Sequence, residues 1–240
     1  MARRRFFVDG VEGGRAELGG DDARHLTRVL RAEAGQQYEI SDNQSVYLAE
    51  IVEARGARVV FRVLEALDSP PAPVHITLCA ALIKFDRFEW MIEKATELGV
   101  ERILPLETTR SEKGLAEAAR KRMERWLRIA RESSQQARRL RMPEILPPVR
   151  FERGLGQAAD FRYFLEEDQA PALWRLLPED RTARHQVALS AGPEGGWTDA
   201  ERQAARSWGW QAASLAPQVL RAETASCAAI AIVNNAWMQH

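Results

Sequence analysis

The sequence predicts an α/β protein in two parts: a small β-rich N-terminal domain and a larger C-terminal domain built on a parallel sheet. Short apolar or alternating runs, separated by glycine and asparagine turns, fill residues 1 to about 70. Strands and helices then alternate, which is typical of a parallel sheet with helices on its faces. Between the two parts, Pro70-Pro71-Ala72-Pro73 predicts a stiff, extended linker. We therefore expect domains at residues 1–70 and 71–240.

Composition excludes several classes of protein. Apolar residues make up 45% of the 240 positions, enough for a packed core, and no window approaches 18 consecutive apolar residues. Arg3-Arg4-Arg5 is followed by too short an apolar run for a signal peptide. Two cysteines, Cys79 and Cys227, suit a reducing compartment, so a cytoplasmic location is expected. The four histidines lack ligand spacing, and we predict no metal site (His25, His75, His185 and His240).

The N-terminal domain is expected to contain four strands and one helix. The strands are predicted at residues 6–8, 37–40, 46–52 and 58–64. The helix is predicted from Asp21 to Arg31, with Asp21 or Asp22 as its cap and three arginines off its apolar face (Arg24, Arg28 and Arg31). Strands at this spacing suggest a small barrel that suits an RNA-binding module. A purely structural β-domain with scattered arginines fits these residues equally well.

The C-terminal domain has a regular alternation of elements. Strands are predicted at residues 74–82, 102–106, 161–166, 187–190 and 210–215, and helices at 86–98, 115–140, from 199 and from 223 towards 238. Asp86 with Glu89, and Thr198 with Glu201, have the spacing of helix-capping pairs. Parallel strands followed by loops at one sheet edge are where α/β proteins bind ligands.

Net charge is zero, with 34 basic and 34 acidic residues, so an RNA partner requires a local basic patch. The long helix predicted at 115–140, with the few residues after it, supplies one. Between Arg120 and Met142, nine basic residues are opposed only by Glu124 and Glu132 (Arg120, Lys121, Arg122, Arg125, Arg128, Arg131, Arg138, Arg139 and Arg141). Most of them lie off the apolar stripe of the helix and are therefore expected at its surface.

Two loops are the strongest indication of a site. Gly192-Pro193-Glu194-Gly195-Gly196 follows one predicted strand, and Ala216-Pro217 follows another. Glycine lets a backbone approach a ligand closely, and exposed amides and carbonyls can hydrogen-bond a purine edge between apolar side chains. The sequence has neither a nucleophile elbow nor a phosphate-binding Gly-Lys-Ser/Thr loop. A tight turn without a ligand remains the alternative interpretation of the glycines.

The same segments resemble a known family. Gly192-Pro193-Glu194-Gly195-Gly196, followed by Leu220-Arg221-Ala222-Glu223-Thr224-Ala225, is similar to the paired motifs of the ribosomal RNA small subunit methyltransferase E family. That family belongs to the SPOUT, or trefoil-knotted, methyltransferases. Lys84-Phe85-Asp86-Arg87, Lys94-Ala95-Thr96-Glu97-Leu98-Gly99-Val100 and the N-terminal Arg5-Phe6-Phe7 agree with it. The resemblance covers nearly the whole chain.

The resemblance implies a PUA-like barrel that helps hold RNA and a knotted domain that binds S-adenosylmethionine. It also implies a homodimer that methylates N3 of a uridine in 16S ribosomal RNA, in the assembled small subunit. Thirteen residues would hold the cofactor (Leu165, Glu166, Ala191, Gly192, Pro193, Glu194, Gly195, Gly196, Ser214, Leu215, Ala216, Val219 and Leu220). Eight would contact RNA (Arg5, Arg24, Arg28, Arg31, Lys84, Arg87, Arg138 and Arg139).

The mechanism that this function requires suggests roles for four side chains. Uridine N3 must lose a proton as it is methylated, so the site needs a proton acceptor and positive charge near the uracil oxygens. Arg221 and Arg110 are candidates for holding phosphate or developing negative charge. Glu223 or Glu194 could take the proton, although the position of Glu223 also suits capping of a helix.

Two departures from the family pattern leave an alternative function open. Ala216 and Gln218 stand where the family has glycine and arginine. The alternative is a non-catalytic RNA-binding or ribosome-assembly protein that retains the fold. An enzyme that holds a nucleotide phosphate in the glycine loop is disfavoured, because no lysine or metal-binding carboxylate follows that loop.

Overall fold

The computed structural model describes residues 4–167 and 170–238 and divides the chain into two compact units. The first comprises Met1–Pro70 together with Arg131–Met142, and the second comprises Pro71–Ala130 and Pro143–His240. The division after Pro70 falls at the proline-rich linker. The sequence assigned Arg131–Met142 to the C-terminal domain, because the pattern there continues that of a helix.

A six-stranded sheet forms the first unit, in the order β1-β4-β5-β6-β3-β2. Its first strand pairs in parallel with β4, and the other pairs are antiparallel. The strands are β1 Arg5–Phe7, β2 Val11–Glu12, β3 Arg15–Gly19, β4 Gln37–Ser41, β5 Val46–Arg55 and β6 Arg58–Leu67. The sequence missed β2 and β3, whose runs are short. Gly13 and Gly14, with φ of 56° and 74°, form the tight hairpin between them.

The helix predicted at 21–31 differs in its start and its form. An α-helical segment, α1 Gly20–Arg24, continues as one π-helical turn, His25–Val29. The predicted aspartate cap is wrong, because Gly19 is the N-cap and no side chain caps the helix. Asp22 instead accepts hydrogen bonds from Arg131 (Nε to Oδ2, 2.5 Å) and Gln135 (2.9 Å).

Segment Arg131–Met142 is bonded into the first unit by several polar contacts. The guanidinium of Arg131 also donates to the carbonyl of Phe7 at 2.6 Å. Ser41 donates to the carbonyl of Leu140 at 2.6 Å. The backbone N–H of Met142 donates to the side chain of Asn43 at 3.0 Å. These bonds explain why the segment groups with the first unit.

Seven strands, all parallel to their neighbours, form the sheet of the second unit. The order is β10-β8-β7-β12-β11-β13, with β9 also pairing with β8. The strands are β7 His75–Ala81, β8 Arg102–Glu107, β9 Glu144–Ile145, β10 Val149–Arg150, β11 Phe161–Leu165, β12 Gln186–Ala191 and β13 Gln211–Ala213. The five strands predicted for this domain are all present.

Helices cover both faces of this sheet. They are α2 Phe85–Glu97, α3 Leu115–Arg120, α4 Met123–Gln136, α5 Phe151–Gly154, α6 Leu173–Leu176, α7 Asp199–Ser207 and α8 Ala222–Trp237. The chain leaves the edge strand β13 and returns to the centre of the sheet, where α8 packs on β7, β12 and α2. No helix in the described part of the chain is long and apolar enough to span a membrane.

Two helix predictions in this unit are wrong in detail. The single helix expected at 115–140 is broken by a turn at Lys121 and Arg122, so α3 and α4 are separate. Asp86 does not cap α2, which begins one residue earlier with Lys84 as its N-cap. Glu89 accepts hydrogen bonds from Arg122 (2.8 Å) and Arg125 (2.9 Å) instead of reaching back to the helix start.

Candidate active site

Three loops meet at one edge of the second unit's sheet. They follow β11, β12 and β13, which are neighbouring parallel strands, so their carboxyl ends lie side by side. Between the loops is a cleft of about 280 Å³. The cleft therefore lies where parallel α/β sheets bind their ligands.

The glycine loop makes a tight turn that leaves little room for side chains. The N–H of Gly196 donates to the carbonyl of Pro193 at 2.9 Å, and Gly196 has a φ of +66°. A Cβ at Gly196 would lie 2.5 Å from Oε1 of Glu167. At Gly192, a Cβ would lie 3.0 Å from the indole ring of Trp197. The positive φ therefore favours glycine at Gly196, and the indole ring of Trp197 leaves little room for a Cβ at Gly192.

Trp197 fastens the glycine loop to the neighbouring strand end. Its indole N–H donates to the carbonyl of Leu165, the last residue of β11, at 2.9 Å. The ring stacks on Phe164 with a centroid distance of 4.4 Å and is almost fully buried. The first two loops of the cleft are thus held at a fixed separation.

Arg110 reaches the glycine loop from the loop after β8. Its guanidinium donates from Nη1 to the carbonyl of Gly195 at 2.6 Å. The preceding residue, Thr109, donates its backbone N–H to Oε1 of Glu201 at 2.8 Å. Glu201 also completes the predicted capping box with Thr198 at the start of α7.

Burial and hydrogen bonding have opposite effects on the pKa of Glu201. Burial alone would raise the pKa of this carboxyl, but hydrogen bonds from Thr109 and Thr198 stabilise the carboxylate, and the net effect lowers the pKa below 4.5. The charged form therefore joins the start of α7 to the loop that carries Arg110.

A buried ion pair supports the end of β11. Arg202 donates from Nε to both carboxylate oxygens of Glu166, at 2.9 and 3.2 Å. Its Nη1 also donates to the carbonyl of Trp197 at 2.8 Å. Both side chains are largely buried, so this pair holds Glu166 in place beside the cleft.

The third loop contributes most of the apolar wall. Leu215, Ala216, Val219 and Leu220 line the cleft together with Gln218. Val219 is 73% exposed, which leaves an apolar side chain free at the cleft surface. Arg221 also lines the cleft and is the N-cap of α8.

One ion pair joins two walls of the cleft. Arg87, in the first turn of α2, donates from Nη1 to Oε1 of Glu194 at the tip of the glycine loop. Both residues line the cleft. The side chains are 33% and 44% exposed, respectively, so the pair faces solvent.

Most residues predicted to hold a cofactor lie around this cleft. Ten of the thirteen line it (Leu165, Glu166, Gly192, Pro193, Glu194, Gly196, Leu215, Ala216, Val219 and Leu220). Ala191, Gly195 and Ser214 are not in the lining, although each adjoins a residue that is. The sequence analysis missed Glu167, Trp197, Gln218, Ala222 and Ala225 as lining residues and assigned Arg87 only to RNA. Trp197 directly follows the glycines, and that adjacency could have indicated it.

The predicted catalytic residues are placed differently from one another. Arg221 lines the cleft, whereas Arg110 does not line it and donates to the carbonyl of Gly195 in the glycine loop. Glu223 is buried in the first turn of α8 and does not line the cleft. Its Oε2 has no hydrogen-bond partner among the described residues.

Some of the residues predicted to contact RNA are exposed, and others are bound to carboxylates within the protein. Arg28, Arg31 and Lys84 are exposed. Arg24 is also exposed but pairs with Asp21. The prediction for Arg5 needs correction, because its side chain is only 10% exposed and pairs with Glu39 at 2.9 Å. This guanidinium holds β1 to β4, and a contact with RNA would break that pair.

Glu39 also binds one arginine of the predicted basic helix. Arg138 pairs with it, and Arg139 is half-buried. With Arg122 and Arg125 bound to Glu89, and Arg131 to Asp22, several of the nine basic residues neutralise carboxylates within the protein. The patch is therefore less basic than the sequence suggested.

Metal and thiol chemistry have no support in the described part of the chain. No group of three or more histidine, cysteine, aspartate or glutamate side chains there could hold a metal ion. Burial raises the pKa of Cys79 to about 12 and that of Cys227 to about 11. Both cysteines are therefore protonated thiols at neutral pH.

Comparison with protein families defines the class of protein first. Residues 18–64 match the RNA methyltransferase PUA domain, and residues 70–234 match the RNA methyltransferase domain. The fold is that of a SPOUT methyltransferase with an N-terminal PUA-like domain, as the resemblance predicted.

Individual relatives identify the family within this class. The ribosomal RNA small subunit methyltransferase E of Synechocystis is 33% identical over 216 residues, which is 88% of this chain and 69% of the relative. The enzyme of that name from Neisseria gonorrhoeae, solved with bound S-adenosylmethionine, superposes with a TM-score of 0.88 at 27% identity, over 98% of each chain. A Legionella pneumophila methyltransferase with bound SAM gives 0.88 at 30%, again over 98% of each chain. The chain belongs to the ribosomal RNA small subunit methyltransferase E family.

Proposed function

We propose that this protein transfers a methyl group from S-adenosylmethionine to N3 of a uridine in 16S ribosomal RNA. The observation that carries the proposal is the cleft between three strand-end loops, in a chain whose family relatives are named as ribosomal RNA methyltransferases. Two structures similar to this chain contain S-adenosylmethionine.

The residues of the cleft fit this cofactor. Gly192 and Gly196 keep side chains out of the cradle, where a Cβ would meet Trp197 or Glu167. Leu165, Leu215 and Leu220 offer apolar surface for an adenine ring, and the loops offer backbone hydrogen-bonding groups. When bound, the cofactor supplies a methyl group on a positively charged sulfur.

We assign the positive side chains to the RNA substrate. Arg221 is exposed at the cleft, where it can bind a phosphate or the uracil oxygen that gains negative charge. Arg110 holds the carbonyl of Gly195, so we assign it to positioning the glycine loop. Glu223 lies in the first turn of α8, where a carboxylate is stabilised by the helix dipole, and we assign it to the helix rather than to proton transfer.

The proposal includes the context in which the enzyme acts. As in the resemblance, we expect a homodimer that acts on the assembled small ribosomal subunit in the cytoplasm. Support for the RNA substrate comes from the two matched domains and from exposed cations in each unit, among them Arg28, Arg31 and Lys84.

The non-catalytic alternative is not favoured. Ala216 and Gln218, the residues that raised it, line the cleft beside Leu215 and Val219 without closing it. Calorimetry with S-adenosylmethionine, followed by incorporation of labelled methyl into small-subunit particles, tests the proposal. Binding with incorporation supports the enzyme. RNA binding without cofactor binding would support the alternative.

A further inference from the structure

The ion pair between Arg87 and Glu194 lies in the lining of the cleft to which the proposed function brings an RNA substrate. Both side chains line the cleft and both reach solvent. Such exposed pairs are weak, because water and salt screen the two charges. An anion that offers Arg87 better geometry can therefore displace Glu194.

The first turn of α2 is suited to a phosphate. Arg87 presents a planar guanidinium, which binds phosphate through two parallel hydrogen bonds. Lys84, the N-cap of the same helix, is exposed three residues earlier. The positive end of the helix dipole adds to the field of these two cations.

Comparison of the carboxylates in the cleft selects Glu194. Glu166 accepts hydrogen bonds on both oxygens from the largely buried Arg202. Glu167 is exposed and lies against Gly196, and no ion pair holds it among the residues described. Of these three carboxylates, only Glu194 is paired with a partly exposed cation, which a phosphate can bind in its place.

We infer that Arg87 exchanges Glu194 for a phosphate when RNA binds, an inference that rests on the proposed function. A phosphate of the RNA backbone binds Arg87, and the released carboxylate of Glu194 accepts the proton of uridine N3. The N3–H bond breaks and its proton moves to a carboxylate oxygen. The N3 electron pair forms the bond to the methyl carbon, and the electrons of the broken carbon–sulfur bond stay on sulfur. Loss of the guanidinium frees Oε1 of Glu194, which accepts a hydrogen bond from Arg87 in this structure, so substrate binding itself makes the acceptor available.

RNA binding without the methyl donor tests the exchange. The Glu194→Gln variant frees Arg87, so it should bind unmethylated small-subunit particles severalfold more tightly than the wild type. Glu167→Gln removes the same charge from the same cleft without freeing a cation, and it controls for general electrostatics. Arg87→Ala should weaken binding and lower the salt slope of log K by about 1. Equal effects of Glu194→Gln and Glu167→Gln would overturn the exchange.

The pH dependence of single-turnover methylation tests proton transfer. The Glu194→Gln variant lacks the proton acceptor, so it should methylate only uridine whose N3 is already ionised. Its methylation rate should therefore rise about tenfold per pH unit above neutrality. The wild type and Glu167→Gln should lack that slope. RNA with 5-fluorouridine at the target, whose N3 is more acidic, should restore the rate of Glu194→Gln.

A Glu194→Gln variant with the wild-type pH profile and no rescue by 5-fluorouridine would contradict the role of Glu194. Failure of the proposed function gives a different result, because the wild-type protein itself would then leave the RNA unmethylated.

Discussion

The indole N–H of Trp197 and the carbonyl of Leu165 are joined by a buried hydrogen bond of 2.9 Å. This bond connects the residue after the glycine loop to the last residue of β11, so it sets the distance between two walls of the cleft. The cleft therefore depends on a side chain that directly follows the glycines.

Replacing Trp197 with phenylalanine should keep the stacking on Phe164 but leave the buried carbonyl of Leu165 without its donor. An unsatisfied buried acceptor costs about 1–3 kcal/mol. Urea unfolding should show a loss of that size, and calorimetry should show weaker binding of S-adenosylmethionine. Unchanged cofactor affinity would mean that this bond supports the fold but not the cleft.

The two adjacent glycines of the loop should respond differently to alanine. Gly196→Ala forces a positive φ on a side chain and directs its Cβ at Glu167, so we expect a loss of about 1–2 kcal/mol and weakened cofactor binding. Gly195→Ala is the matched comparison, because its Cβ would only touch Arg110 at 3.4 Å. Thermal unfolding and calorimetry measure both effects. Similar losses in the two variants would contradict the geometric explanation.

Glu201 should make the free energy of unfolding depend on pH in the acid range. Its pKa is lowered in the folded state by hydrogen bonds from Thr109 and Thr198, against the opposing effect of burial. The stabilising contribution is therefore complete above the unfolded pKa of 4.5 and is lost as pH falls through the lower folded pKa.

Urea unfolding of Glu201→Gln should show a destabilisation at pH 7 of about 1–3 kcal/mol that shrinks towards pH 3. The exposed Glu152 provides a control, since Glu152→Gln should lack this pH-dependent difference. A destabilisation of Glu201→Gln that is constant with pH would show that the charge of this carboxylate is unimportant.

Arg221→Ala should slow methylation without affecting the fold. The side chain is exposed at the cleft, and loss of one group that stabilises developing charge typically lowers kcat by about 10²–10³. Turnover on small-subunit particles measures this, with Arg184→Ala as a control at another exposed arginine. Unchanged turnover of Arg221→Ala would remove this residue from the mechanism.

Local patterns predicted the elements that position the cleft. The strands of the second unit alternate with helices at a recognisable period, and the capping box of Thr198 and Glu201 is visible as two residue types at fixed spacing. The glycines indicated the close backbone approach at the loop. These features depend on residues near one another in the chain, so a single sequence contains them.

Contacts between distant residues could not be predicted in this way. The bonds from Arg131 to Asp22, and from Arg87 to Glu194, each join residues more than 100 positions apart. The basic residues of 120–142 looked like a surface patch because their carboxylate partners lie far along the chain. A knot is likewise excluded by default from any prediction based on pattern, and only the resemblance supplied it.

Nucleoside mass spectrometry tests the central claim most directly. Unmethylated small-subunit particles are incubated with the protein and isotope-labelled S-adenosylmethionine, and their RNA is digested to nucleosides. The account predicts labelled 3-methyluridine as the product. Label in another nucleoside, or no label from a protein that binds the cofactor and the particle, would contradict it.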